Sequence, residues 1–280
     1  MSEPSATPEN LDTWWGARRL GEGRVARWRI CGFELAICNW EGEWQVAWDA
    51  SEAREDTDEE WTYREEDGPL EEAPNLERYI FREVDDALSV LPALADRAVV
   101  ASPRIPVYLL PGEETRLYVG SPLWVQVAAQ TPPRHLCEFP ILRPTDTWFG
   151  PNNLAGELCY ATHTRARVRV EKVPHHVRYA MTPLDIHNRA DTPLRVERVK
   201  LPVPYLHLYA GSDGRLWTQT VTMTRSGDGD LVRVEAKRGA PREARPARKV
   251  QEARQQMQQS LLTRAFSTVS SIFERKEDED

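Results

Sequence analysis

Between Pro103 and Lys237 the chain repeats one device: a short run of alternating apolar and polar residues, then a cluster of turn-forming residues. Pro111-Gly112, Gly120-Ser121-Pro122, Asn188 to Thr192, Ser212-Asp213-Gly214 and Gly227-Asp228-Gly229 punctuate runs such as RIPVYLL, RLWTQTV and DLVRVEAK. A period of two puts successive side chains on opposite faces of a strand, and turn signals about every 8–12 residues close strands into an antiparallel sandwich. The segment RARVRVEKV is the plainest case. It sets Arg165, Arg167 and Arg169 on one face and Ala166, Val168 and Val170 on the other, as expected of a strand with one wet face.

The same alternation marks the earlier region from Arg24 to Asp49, where Val25, Trp44, Val46 and Trp48 suit half-buried strands and Asn39 to Gly42 supplies a turn. The expected fold class is therefore mainly β, an antiparallel β-sandwich preceded by a smaller strand-rich module, with a C-terminal amphipathic helix. In sequence order this gives a disordered lead-in over 1–11, a β module with acidic loops over 12–102, the sandwich over 103–237, a basic, proline-bearing linker over 238–249, a helix over 250–275 and an acidic tail over 276–280. A second helix is expected within VDDALSVLPALADRAVV, interrupted by Pro92.

The tail helix carries the main functional expectation. VQEARQQMQQSLLTRAFSTVSSIFER lacks Gly and Pro. At 100° per residue Leu261, Leu262, Ala265, Phe266, Val269, Ile272 and Phe273 share one broad side. Such a side must be covered, because large bare apolar patches are rare on soluble monomers. Three covers remain open: a protein partner or second copy, the chain's own β domain, or a membrane surface, which a Ser/Thr-rich polar face would suit.

Charge is distributed in blocks. From Glu41 to Asp86 there are 18 acidic and 4 basic residues, a local net of −14; from Lys237 to Arg254 there are 7 basic and 2 acidic, a local net of +5. The whole chain of 280 residues carries −8, so the basic footprint of a nucleic-acid binder is missing. Blocks of opposite sign suit contact with another protein. A composition of 40% hydrophobic and 29% charged residues fits a globular chain. With no signal-peptide pattern at the start and no apolar run long enough to span a bilayer, the expected location is the cytoplasm, with contact at the inner membrane face left open.

Reactive chemistry is thinly represented. Cys31, Cys38, Cys137 and Cys159 form no C-x-x-C pair, and in a reducing compartment they read as small core residues. His163, His175, His176 and His187, with Asp185 two residues before His187, show no dense ligand motif, so no metal and no cofactor is expected. Cys159 and His163 lack the context of a catalytic pair, no G-x-S-x-G elbow occurs, and Asp228 with Asp230 supply too few ligands for Ca²⁺. The stretch TDTWFGPNNLAGELCYATHT is expected to be a turn with aromatic anchors, Glu157 to Tyr160 starting the next strand and Cys159 and Tyr160 on opposite faces.

Trp148-Phe149-Gly150, Gly156 to Tyr160, and Ile186-x-Asn188 with Pro193-Leu194 carry a family likeness. On these motifs the chain resembles the domain-of-unknown-function family numbered 432 of archaea and bacteria, over about Trp14 to Ala236. That family has no assigned activity and no catalytic residues to transfer. Its genes lie near those of small-conductance mechanosensitive channels. The resemblance therefore implies a non-enzymatic accessory module that binds the channel's cytoplasmic domain, through the acidic first half and the tail helix. The rival expectation is a small-ligand-binding or hydrolytic sandwich. It requires some of Trp124, Trp148, Tyr160, His163 and His187 to converge on one pocket.

Overall fold

The computed structural model describes residues 12–54, 61–70, 75–82, 86–103, 105–131, 133–150, 154–162, 176–227, 231–257 and 260–267. The protein is mainly β, with several sheets. Its strands fall into two compact units that are discontinuous in sequence, one of residues 1–93 and 124–142, the other of 94–123 and 143–280. Two contiguous modules meeting at 102/103 would not give this division. The strand that follows Gly112 is 17 residues long and passes from the second unit into the first.

The first unit contains β1 (Gly16–Arg19), β2 (Arg24–Ile30), β3 (Phe33–Trp40), β4 (Glu43–Asp49), β5 (Trp61–Asp67), β6 (Glu77–Ile80) and most of β7 (Ala87–Leu94). Five of these form an antiparallel sheet in the order β5-β2-β3-β4-β6. Two-residue turns at Cys31-Gly32 and Glu41-Gly42 set its register, with φ of 48° and 83° in the first and 50° and 80° in the second. Positive φ at both central residues is the hairpin geometry that matches strand twist. Gly32 is required twice over, since a Cβ there would also lie 2.3 Å from Glu52 O.

Alternation gives this sheet two unlike faces. Trp28, Ile30, Leu35, Ile37, Trp44 and Val46 are buried on one, beside Trp48, which stacks on Phe139 with ring centroids 4.7 Å apart. The other face holds a smaller cluster of Val25, Ala36, Cys38, Ala47 and Leu70, flanked by charged residues. There Arg27 pairs with Glu66 at 2.5 Å, Arg29 with Glu52 at 2.8 Å and Arg78 with Glu43 at 2.6 Å. At the end of the same strands Arg24 meets Asp67 and Glu65. Part of the acidic block is thus neutralised by arginines of β2, which precede it in sequence but lie beside it across the ladder.

The helix expected within VDDALSVLPALADRAVV is absent. Its described part is β7, beside β1, followed by β8 (Val99–Ala101). Burial of nearly every β7 side chain explains the misreading, because a short continuous apolar run has no period to read. On the β1 side Pro92 lies beyond the ladder, which ends at Val90.

The second unit is assembled from β8, β9 (Val107–Leu109), the first half of β10 (Glu114–Gln130), β12 (Thr145–Phe149), β13 (Glu157–Thr162), β14 (Tyr179–Asn188), β15 (Leu194–Val196), β16 (Arg198–Leu201), β17 (Leu208–Gly211), β18 (Leu216–Thr218), β19 (Val221–Arg225) and β20 (Leu231–Ala236), joined by β21 (Ala247–Gln251), β22 (Leu261–Arg264) and β23 (Phe266–Ser267). β11 (Pro133–Pro140) belongs to the first unit, where it pairs with residues 124–130 of β10. β10 pairs antiparallel with β14 over 114–122, whereas β14 runs parallel to β18 and β19. A second sheet has the order β12-β13-β8-β16-β23 and includes the parallel pair β13-β8.

The tail departs from expectation. The stretch 238–249 is folded on the unit rather than a linker: Ala244 is buried with Tyr118, Met181 and Trp217, and β21 pairs with β17. No helix forms over the described part of 250–275. Leu261–Arg264 instead pairs antiparallel with Leu231–Val234 of β20, and Phe266 sits opposite Val199 of β16. The edges of β20 and β16 offer rows of N–H and C=O groups that need partners, and a segment rich in Thr, Ser, Val and Phe is a weak helix former. Val269, Ile272 and Phe273 lie outside the described residues, as do His163, His175, Asp228, Asp230 and the RARVRVEKV segment. Among the described residues no helix is long and apolar enough to cross a membrane.

Candidate functional site

Within TDTWFGPNNLAGELCYATHT, Thr145–Phe149 and Glu157–Thr162 pair antiparallel as the two arms of a hairpin. Trp148 sits opposite Leu158 and Phe149 opposite Glu157. Its neck closes because a Cβ on Gly150 would lie 2.4 Å from Ala155 O, and one on Gly156 would lie 2.5 Å from the Trp148 indole nitrogen. Cys159 and Tyr160 do point to opposite faces. Cys159 is buried with Val100 and Phe149, and burial, then the neighbouring Glu157 carboxylate, pushes its thiol up to about 12. That is a core thiol, far from the thiolate a nucleophile needs. The Tyr160 hydroxyl donates to Asp96 at 3.0 Å, and the Arg97 guanidinium lies over its ring.

Beside this hairpin the second unit has a cavity of about 410 Å³. Asp96, Arg97 and Ala98 lead into β8, Glu157 and Leu158 begin β13, Lys200 and Pro202 end β16, and Leu261, Leu262 and Thr263 of β22 close the wall. Two of the tail residues expected to touch a partner therefore line a pocket, and Leu262 is 70% exposed there. Ala265 is buried in the fold and Phe266 is partly buried. The polar end of the cavity is ordered by Lys200. Its Nζ lies 2.6 Å from Glu157 Oε1, donates to Thr263 Oγ1 at 3.0 Å and stands 5.5 Å from the Phe149 ring centroid.

The residues of the rival pocket do not converge. Trp124 belongs to the first unit and is buried; Trp148 and Tyr160 share a face of the hairpin; His187 lies on β14 beside Glu114, at 3.8 Å. None of these four lines the cavity. Asp185 is already engaged by two cations. Arg116 grips both its oxygens at 2.6 and 2.9 Å, and Lys237 adds a bond of 2.8 Å. Among the described residues no three His, Cys, Asp or Glu side chains are grouped to hold a metal.

A second surface escaped the sequence reading. β9 pairs with β15 in a two-stranded ribbon. Leu109 and Leu194 point inward, while Ile105, Tyr108 and Leu110 are 74%, 63% and 60% exposed. Arg195 covers one side of Tyr108, 5.7 Å from its centroid. The ribbon is anchored by Asn188, whose buried amide donates to Leu109 O at 3.0 Å and Thr192 O at 2.9 Å. The signal was available in RIPVYLLP, where apolar residues occupy both strand faces, but a two-sided apolar run reads as a buried strand.

These anchors coincide with the signature motifs: Gly150, Gly156 and Glu157 in the hairpin, Asn188 and Leu194 at the ribbon. A family model described as "Protein of unknown function (DUF432)" matches residues 14–271. The chain belongs to that family. The match extends through β22 and β23, so in DUF432 terms the tail strands fall within the domain rather than after it. No curated protein and no solved structure matches the chain.

Proposed function

We propose that the chain is a non-enzymatic, cytoplasmic binding module, an accessory protein that attaches to a protein partner through the β9 ribbon. The supporting observation is exposed Tyr108 on β9, with exposed Ile105 and Leu110 flanking that strand, which is bonded to only one described neighbour. Contiguous exposed apolar side chains mark interaction sites, and a half-open ribbon can accept a further strand. The antiparallel β-sandwich reading of 103–237 belongs to this proposal, supported by the β10-β14 and β19-β20 ladders. The partner class is the cytoplasmic domain of a small-conductance mechanosensitive channel, as the family resemblance implies. Compared with the expectation from sequence, the contact moves from tail and acidic block to β9.

Co-purification of the full chain with the channel in detergent tests this. Wild type is retained, and Tyr108→Glu, a change at an exposed side chain, weakens retention at least tenfold. Failure of the wild type to co-purify across salt conditions, or indifference to Tyr108→Glu, counts against it. A second reading, small-ligand binding, is favoured by one observation: the cavity of about 410 Å³ lies in the size range of small-molecule pockets and combines leucines with a buried ammonium.

A further inference from the structure

We propose that this cavity binds a small amphipathic carboxylate, whose headgroup takes the place of Glu157 on the ammonium of Lys200. The proposal rests on the ligand-binding reading of the pocket and adds the chemical class of the ligand and the group it displaces.

The two members of the Lys200–Glu157 pair are unequal. The Lys200 side chain is 8% exposed and that of Glu157 is 50% exposed. Lys200 is fixed from several directions: its backbone N–H donates to Ala265 O at 2.8 Å, its strand is paired with β8 at Val100, and its Nζ is held by Thr263 and set over Phe149. An ammonium so withdrawn from water requires a counter-charge, since leaving it uncompensated costs several kcal/mol. Glu157 is under no such constraint. It is the first residue of β13, next to the Gly156 neck, and its carboxylate regains full hydration by turning outward. The cation is therefore a permanent feature of the pocket and the anion is replaceable.

Charge selects the ligand. With Glu157 turned out, the charged lining consists of Asp96, Arg97 and Lys200, a net of +1, which one carboxylate neutralises and a phosphate dianion would overshoot. Arg97 is already shared between Asp96 at 3.7 Å and Asp146 at 3.3 Å, so it adds little free positive charge. The rest of the wall is Leu158, Leu261, Leu262, Pro202, Pro204 and Tyr205. This suits a short hydrocarbon or aromatic body, and covering the exposed part of Leu158 and Leu262 removes apolar surface from water.

The test uses the full chain with octanoate, octyl phosphate and octanol as probes, followed by titration calorimetry and by methyl shifts of Leu158, Leu261 and Leu262. Octanoate is expected to bind best and to move those methyls. Glu157→Gln, which removes the competing charge, should bind it at least tenfold more tightly, and Lys200→Met should lose binding. Glu157→Gln keeps the test decisive if Lys200→Met fails to fold. Unchanged or weaker octanoate binding by Glu157→Gln overturns the exchange. Binding of octanol as tightly as octanoate at the same methyls preserves the pocket and overturns the carboxylate class. Failure of all three probes to move the methyls overturns the ligand-binding reading itself.

Discussion

Replacing Asn188 with Ala tests how the β9 ribbon is held. Asn188 is fully buried at the end of β14, and its backbone bonds to Glu113 O and from Gly112 N survive the change. What is lost is the side chain's donation to Leu109 O and Thr192 O, at 3.0 and 2.9 Å, together with its weaker acceptance from Ala190 N and Arg225 Nη1, both at 3.4 Å. Thr192 O retains a bond of 3.0 Å from Arg225, so its share is an ordinary net hydrogen bond of about 1 kcal/mol. Leu109 O loses a donor in a buried position, which costs roughly 1–3 kcal/mol. The expected total is about 2–4 kcal/mol, read as a shift in the urea midpoint of the second unit. Asn188→Leu should lose about as much, because it refills the volume without restoring a donor. A loss below about 1 kcal/mol, or recovery with Leu, would show that packing rather than hydrogen bonding holds the ribbon.

Arg116 pairs with Asp185 and Glu243 at 2.6 and 2.7 Å, and Arg116→Met leaves two mostly buried carboxylates short of a cation. With Arg116 itself about a quarter exposed, we expect about 3 kcal/mol of destabilisation at pH 7, the low end for breaking a buried pair; a change under 1 kcal/mol in the denaturation midpoint contradicts it. Burial alone would lift both carboxyls, yet the hydrogen bonds they accept hold Asp185 and Glu243 below their ordinary values. Folded values below the unfolded ones mean this stability is present above about pH 4 and lost as the pH falls further. The wild-type midpoint should therefore drop below pH 4, and that of Arg116→Met should drop less. Burial also pushes the thiols of Cys38 up to about 11 and of Cys137 and Cys159 up to about 12. A thiol-exchange reagent at pH 8 should leave all three unlabelled in the native chain and label them on unfolding; fast native labelling would refute their place in the core.

Where sequence and structure agree, local chemistry decides the outcome. The hairpins of the first unit follow from period-two alternation and from glycines at Gly32 and Gly42, and the Trp148 hairpin follows from Gly150 and Gly156. Where they differ, a distant partner decides. Leu261–Arg264 is four residues long, too short for its period to separate strand from helix, and its state is set by the open edge of β20 some thirty residues earlier. The net charge of the acidic block is a related case: counting along the chain omits Arg24 and Arg27, which the β2-β5 pairing brings to Glu65, Asp67 and Glu66, and Arg29, which meets Glu52. The cavity was illegible because Lys200, Glu157 and Thr263 come from three separated segments, none of them a motif.

Amide hydrogen exchange of the full chain, alone and with the cytoplasmic domain of the proposed channel partner, reads the β9 contact surface itself. It should report protection gained over 105–110, the segment carrying Ile105, Tyr108 and Leu110. Unchanged exchange in that segment while protection appears elsewhere would contradict the assignment of β9 as the contact surface.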